Sequence, residues 1–233
     1  SNKHFSTGDW LKLAIKQINQ IRERKKIPIL VGGTGLYFKA LTEGLVEIPS
    51  IPLKFRNKIR KLQKDIGQHE FYEKLLKIDP NSLSYINPSD AQRSIRAYEV
   101  KKFTKKSITD WYKATKSNFK NRDFFKIIIN QSRPELIKKI NIRTKQMVES
   151  GAILEVKKFL KLRISKEKSI SKAIGLSEIR DYIKKLIDKE EVIDKISIKT
   201  RQYAKRQATW ARGHMSSWKK IEPKRLNNFL KKI

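Results

Sequence analysis

The stretch Ile27-Pro28-Ile29-Leu30-Val31-Gly32-Gly33-Thr34-Gly35 constrains the fold more than any other part of this chain. A short, unbroken apolar run is the pattern of a strand buried on both faces. Pro28 has no backbone N–H, so it belongs at the strand's first positions. The glycines that follow let the backbone turn sharply, and Leu36 to Glu43 reads as a helix with Gly44 as its stop. Strand, glycine turn and helix in that order predict an α/β fold that takes its ligands at the carboxyl edge of a parallel sheet. Ahead of this segment, Ser6-Thr7-Gly8-Asp9 offers N-cap side chains, and Leu11, Ile15, Ile18 and Ile21 recur at helical spacing as far as Arg24.

From Ile48 to about Tyr112 the periodicity is helical only, with helices over 53–65, 70–78 and 90–103 set off by Pro49, Pro52, Pro80 and Pro88. Residues 124–129 return to strand. Arg133-Pro134-Glu135 opens a long helix to Ser150, ended by Gly151, and further helices fall at 153–162, 177–186 and 190–210. The expected division is 1–46 as part of an α/β core, 47–115 as a helical insertion, and 116–233 as a core strand with C-terminal helices. Two strands are too few for a parallel sheet, so the expectation is that either the others come from elsewhere or residues are missing.

Charge sets the partner class. Lys and Arg number 55 against 23 Asp and Glu, a formal charge of +32 over 233 residues. Apolar residues make up 38%, enough for a real core, so the charge does not imply disorder. A Lys-rich composition accounts for part of the excess but not for the shortage of acids. Polyanions are the favoured partners, nucleic acid before an anionic membrane surface. No run of about 18 apolar residues suggests a transmembrane helix, and Ser1-Asn2-Lys3-His4 does not begin a signal peptide. Cysteine is absent, and His4, His69 and His214 are too scattered for a local metal motif. A cytoplasmic, monomeric globular protein is expected, with no membrane partner.

Three clusters carry chemistry. In Gly32-Gly33-Thr34-Gly35-Leu36-Tyr37, a glycine turn at a helix start favours an anion, and Thr34 is placed to cap the helix and offer its hydroxyl to a substrate. The same residues also read as an ordinary strand-to-helix turn. The Gly-x-x-x-x-Gly-Lys-[Ser/Thr] phosphate loop occurs nowhere in the chain. In the second cluster, Asp90 through Val100, Asp90 or Ser89 caps a helix whose Gln92, Arg93 and Arg96 lie on neighbouring turns. That face suits phosphates and base edges, or is simply solvated. The third cluster runs from Thr200 to Arg212. Arg201, Lys205 and Arg212 share a side with Lys199 and Arg206 beside it, and no acid lies between Ile196 and Ser217. Tyr203 and Trp210, seven residues apart, fit either core packing or base stacking. Glu155 and Glu178 sit in apolar contexts and read as structural.

In this order the clusters resemble the tRNA dimethylallyltransferase (tRNA isopentenyltransferase) family. The matching text is Pro28 through Leu41, Asp90 through Val100, Gly151 through Val156, Ala173-Ile174-Gly175 and Thr200 through Trp210. The resemblance implies a partial P-loop-type parallel-sheet core, helix-rich, with an all-α insertion lobe that faces tRNA. It implies transfer of a dimethylallyl group from dimethylallyl diphosphate to N6 of the adenosine 3′ of the anticodon, in tRNAs that read codons beginning with U. The base is flipped into a channel through the protein, as chemistry on a nucleobase requires. Carried over, Thr34 lines the channel and touches the flipped base. Gln92, Arg93, Ser94, Ile95 and Arg96 contact the anticodon arm, together with Arg56. So do Ala173, Ile174, Gly175, Leu176, Ser177 and Glu178, and Thr200, Arg201, Gln202, Tyr203, Ala204, Lys205, Arg206 and Gln207. Gly32, Gly33, Lys205 and Arg206 are the candidates for the diphosphate.

The family also has a phosphate loop, expected to hold the diphosphate and Mg²⁺, and an Asp-Ser motif whose aspartate is the presumed base; neither is in this sequence. The expectation is therefore that Ser1 begins inside the family's length and that these residues alone bind tRNA without transferring the prenyl group. Leu176-Ser177 and Ala211 depart from the family's usual residues, which are an aromatic with a basic residue and Phe. A non-catalytic RNA-binding module, or another P-loop transferase or kinase, are the alternatives.

Overall fold

Ser6 starts the first helix, α1 (Thr7–Glu23): its hydroxyl accepts the Asp9 N–H at 3.2 Å while the Asp9 carboxylate accepts the Ser6 N–H at 2.8 Å. The computed structural model describes residues 5–165 and 168–231, so His4 lies outside it. The chain divides into two compact units, one made of the residues up to Tyr37 with those from Arg122 onward, the other of Phe38–Asn121. The helical lobe expected over 47–115 falls within the second unit, which also takes in residues assigned above to its flanks.

The second unit holds most of α2 (Gly35–Thr42), then α3 (Leu53–Ile66), α4 (Gln68–Ile78), α5 (Ala91–Thr104) and α6 (Ile108–Lys113). Phe71 and Leu75, one turn apart on α4, meet Ala97 and Val100 of α5, and all four are completely buried. Tyr72 joins this core and hands its hydroxyl proton to the Ile86 carbonyl at 2.9 Å, the partner a buried phenol needs. Asp79 is buried too and accepts from Ser107 Oγ at 2.8 Å, fixing the residue that caps α6. Gly44 adopts φ +95°, and a side chain there would put its Cβ 2.8 Å from the Lys116 carbonyl carbon.

The first unit contains α1, the start of α2, and the parallel pair β1 (Ile127–Ile129) and β2 (Lys219–Ile221), in register Ile127 with Lys219 and Ile129 with Ile221. Between the strands run α7 (Arg133–Met147), α8 (Ile153–Lys161), α9 (Leu176–Ile183) and α10 (Lys189–His214), and α11 (Pro223–Leu230) follows β2. Gly151 at φ +121° breaks α7 from α8, as expected. Val148, Val156, Ile179, Val192 and Ile196 form the core here. Asp188 and Glu191 cap α10 reciprocally, at 2.8 and 3.2 Å. The buried residues of α10 are Val192, Ile196 and Ser197, all in its first half.

Two strand expectations are corrected. Residues 27–31 form no strand, and Ile27, Ile29 and Val31 are 77%, 77% and 93% exposed. Among the described residues the sheet is β1 and β2 alone, so the run has no ladder to join. Of residues 124–129 only the last three are strand, and Phe125 stacks on Phe229 of α11 at 5.5 Å instead. No helix among the described residues is long and apolar enough to cross a membrane.

Candidate nucleic-acid interface

Helix α10 explains the glycines of the first cluster. Gln207 Nε2 donates to the Gly33 carbonyl at 2.9 Å, and a Cβ on Gly35 would lie 2.6 Å from Trp210 Cδ2. Close approach of a helix is thus one reason for Gly33 and Gly35. Trp210 in turn stacks on His214 at 4.2 Å. On the other side of the segment, Tyr37 stacks on Trp10 at 4.4 Å. Thr34 does not cap α2 with its side chain: its carbonyl accepts the Tyr37 N–H at 3.0 Å, while its exposed hydroxyl makes no hydrogen bond among the described residues. That hydroxyl is therefore open to a ligand. Gly35→Ala should lower stability by about 1–3 kcal/mol through overpacking against the indole, read as a lower thermal midpoint with a shift in tryptophan emission.

Beyond Ser197, α10 presents a basic surface. Arg201, Lys205, Arg206 and Arg212 have no acidic partner among the described residues. Arg201 reaches Asn141 Oδ1 at 3.5 Å and Arg212 reaches Thr209 Oγ1 at 3.1 Å, both neutral acceptors. Arg206 lies over the ring of Tyr203 at 5.7 Å, and Tyr203 is 43% exposed. Gln202 is exposed, while Thr200 spends its hydroxyl on the Ile196 carbonyl at 2.8 Å. Lys199, expected beside these cations, instead turns to Glu178 of α9, a partner that no spacing within α10 reveals.

Glu178 is buried and accepts from Lys199 Nζ, from Ser177 Oγ at 2.9 Å and from the Gly175 N–H at 3.0 Å. Burial pushes its carboxyl up, but these hydrogen bonds, led by Lys199, outweigh it and hold the group below the ordinary glutamate value. Of the six residues 173–178 expected to meet tRNA, Gly175 and Glu178 are thus interior, and Gly175, at φ +100°, starts α9. Ala173 and Ile174 are exposed, while Leu176 and Ser177 are half-buried.

In the second unit the expected face of α5 is partly corrected. Gln92 and Arg93 are exposed, and the carboxylate of Asp90 accepts the Arg93 N–H at 3.0 Å as the helix cap. Ser94 is completely buried, donating to the Asp90 carbonyl at 2.8 Å and receiving Gln68 Nε2 at 3.1 Å, and Ile95 packs on the core. Ser94 has no surface to give an RNA. Arg96 faces a group the sequence reading missed: the carboxylate of Glu99, 1% exposed, lies 3.5 Å from Arg96 Nη1, 3.3 Å from Arg56 Nε and 3.9 Å from Arg60 Nε. The i, i+4 spacing of Arg56 and Arg60 and the i, i+3 spacing of Arg96 and Glu99 were visible, but not that α3 and α5 bring them together. Nearby, Tyr85 and Tyr112 rings sit 5.6 Å apart, and burial with the neighbouring Tyr85 pushes the Tyr112 hydroxyl up to about 12 despite Arg96 and Arg93.

Among the described residues no three His, Asp or Glu side chains gather to hold a metal ion. A groove of about 550 Å³ lined by Lys157, Tyr182, Leu186 and Glu191 contains none of the expected site residues.

A family model described as IPP transferase matches residues 1–214. The tRNA dimethylallyltransferase of Pelagibacter ubique is 56% identical, over 100% of this chain and 74% of its own length. That of Agrobacterium fabrum is 38% identical, over 94% and 74%. Among solved structures, the tRNA isopentenylpyrophosphate transferase of Bacillus halodurans is 34% identical with a TM-score of 0.58, over 94% of this chain and 68% of that one. A eukaryotic dimethylallyltransferase acting on tRNA is 25% identical with a TM-score of 0.74, over 90% and 53%. None of these matches supports the expected inactivity of the chain. A match along almost the whole sequence, at identities well above those of chance, means that this chain belongs to the IPP transferase family.

Proposed function

We propose that the chain binds the anticodon arm of tRNA and serves transfer of a dimethylallyl group from dimethylallyl diphosphate to N6 of the adenosine 3′ of the anticodon. The observation that carries this reading is the bond from Gln207 to Gly33, which sets the basic half of α10 against the segment bearing the open Thr34 hydroxyl. In the reaction the N6 nitrogen forms a bond to C1 of the dimethylallyl group, the C1–O bond to diphosphate breaks, and the amine loses a proton. Thr34 Oγ1 holds the adenine, so that the amine is oriented before it attacks. Lys205 and Arg206 offset the charge that gathers on the leaving diphosphate. Arg201 and Arg212 take backbone phosphates, and Gln92, Arg93, Arg96 and Arg56 hold the anticodon arm. No residue of this chain is assigned as the proton acceptor, and no step is assigned to a metal ion.

The test is incubation with tRNA and dimethylallyl diphosphate, followed by digestion and mass spectrometry of the nucleosides. Prenylated adenosine from the wild type, reduced about tenfold by Thr34→Ala as loss of one hydrogen bond of roughly 1.4 kcal/mol implies, supports the reading. tRNA binding without product confines the chain to recognition, and failure to bind tRNA refutes the reading altogether.

A further inference from the structure

Glu99 is the most deeply buried acid of the second unit together with Asp79, and it is surrounded by more positive charge than it can neutralise. One carboxylate faces three guanidiniums, which leaves the group with a net charge of 3 − 1 = +2. A single arginine would suffice to settle a buried carboxylate. The geometry is also unspent. The three separations, 3.3, 3.5 and 3.9 Å, are ion-pair distances, yet Glu99 Oε1 and Arg56 Nε are buried without a hydrogen bond. The side chains of Arg56, Arg60 and Arg96 meanwhile stay 32%, 50% and 39% exposed. Buried polar atoms are seldom left unpaired unless something else completes them. Three forked donors, drawn together by one carboxylate beneath them, match the oxygens of a phosphate.

We propose that Glu99 is a positioning residue for a phosphate site formed by Arg56, Arg60 and Arg96, and that the phosphate belongs to an RNA backbone. This rests on the tRNA reading above and adds to it Arg60 as a binding residue and Glu99 as the group that aims all three. Without Glu99 the guanidiniums repel one another and disperse. The donor's diphosphate offers the same phosphoryl oxygens, so the two sources are separated by experiment.

The experiment compares wild type, Glu99→Gln and Arg60→Ala for tRNA binding by fluorescence anisotropy across a salt series, and for dimethylallyl diphosphate binding by calorimetry, with thermal unfolding of each variant as a control of folding. Glu99→Gln removes a negative charge. Long-range electrostatics alone would then tighten RNA binding, whereas a positioning role weakens it. The expected result is weaker binding by Glu99→Gln, with a salt slope shallower by one contact or more, and by Arg60→Ala with a slope shallower by one contact. Each lost contact lowers the slope by roughly 0.7–0.9, which is about sixfold in affinity at 0.1 M salt. Diphosphate binding stays unchanged in both. Equal or tighter tRNA binding by a folded Glu99→Gln, or an unchanged slope in Arg60→Ala, overturns the proposal. Loss confined to dimethylallyl diphosphate assigns the site to the donor and overturns the RNA assignment. If Glu99→Gln fails to fold, Arg60→Ala, altered at a half-exposed side chain, decides the matter. Wild type that does not bind tRNA refutes the parent reading, whereas binding insensitive to both changes refutes this one alone.

Discussion

Replacing Arg201 and Arg212 together by glutamine should reduce tRNA affinity about fortyfold at 0.1 M salt and flatten the salt dependence by roughly one and a half units, since each phosphate contact contributes about 0.7–0.9. The size of the effect follows from what these side chains do not do. Neither has an acidic partner among the described residues, so their charge is undiminished, and α10 buries nothing beyond Ser197, so their removal leaves the core untouched. Exposed substitutions of this kind usually change stability by less than about 0.5 kcal/mol each. Anisotropy titrations at several salt concentrations, with thermal unfolding alongside, check both halves. An unchanged slope would remove α10 from the RNA interface.

The largest effect on stability is expected at Glu178. Alanine there removes the acceptor of three hydrogen bonds and leaves the Gly175 N–H without its partner at the start of α9. A loss of about 3–4 kcal/mol is expected for a buried, charge-assisted group of this type, measured as a lower denaturant midpoint. The acid response has a definite sign. Because the folded carboxyl is held below its ordinary value of 4.5, its contribution is present in full above that value and disappears as the pH falls through the lower folded value. The wild type should therefore lose stability on acidification below pH 4.5 more steeply than Glu178→Gln. Parallel curves for the two proteins would show that Glu178 does not carry this response.

Most helices were legible because their signals are local. The Ser6 and Asp90 caps, the apolar spacing of α1, the Pro134 start of α7 and the Gly151 break all stand where the sequence put them. Residues 27–31 misled because an apolar run states a wish for burial without supplying the neighbours that grant it. β2 was missed because Lys-Lys-Ile has no periodicity to read, and it is strand only through pairing with Ile127–Ile129. At the candidate site, the basic face of α10 and Arg93 could be read one helix at a time. What could not be read is every feature that depends on a second element: Gln207 on Gly33, Lys199 on Glu178, and three arginines from α3 and α5 around Glu99. Ser94 and Ile95 were placed with the RNA contacts because the matching motif is continuous in sequence, whereas a helix turns every second or third residue inward.

The pairing of β1 with β2 also bears on how the protein is made. Ile127–Ile129 leaves the ribosome long before Lys219–Ile221 has been translated, and its ladder stays open for the whole synthesis of α7 to α10. The second unit is one continuous stretch and can close during that interval, but the first cannot. An isoleucine strand with an open edge is a template for wrong pairing, and the nascent chain carries it unpaired until Lys219–Ile221 has emerged.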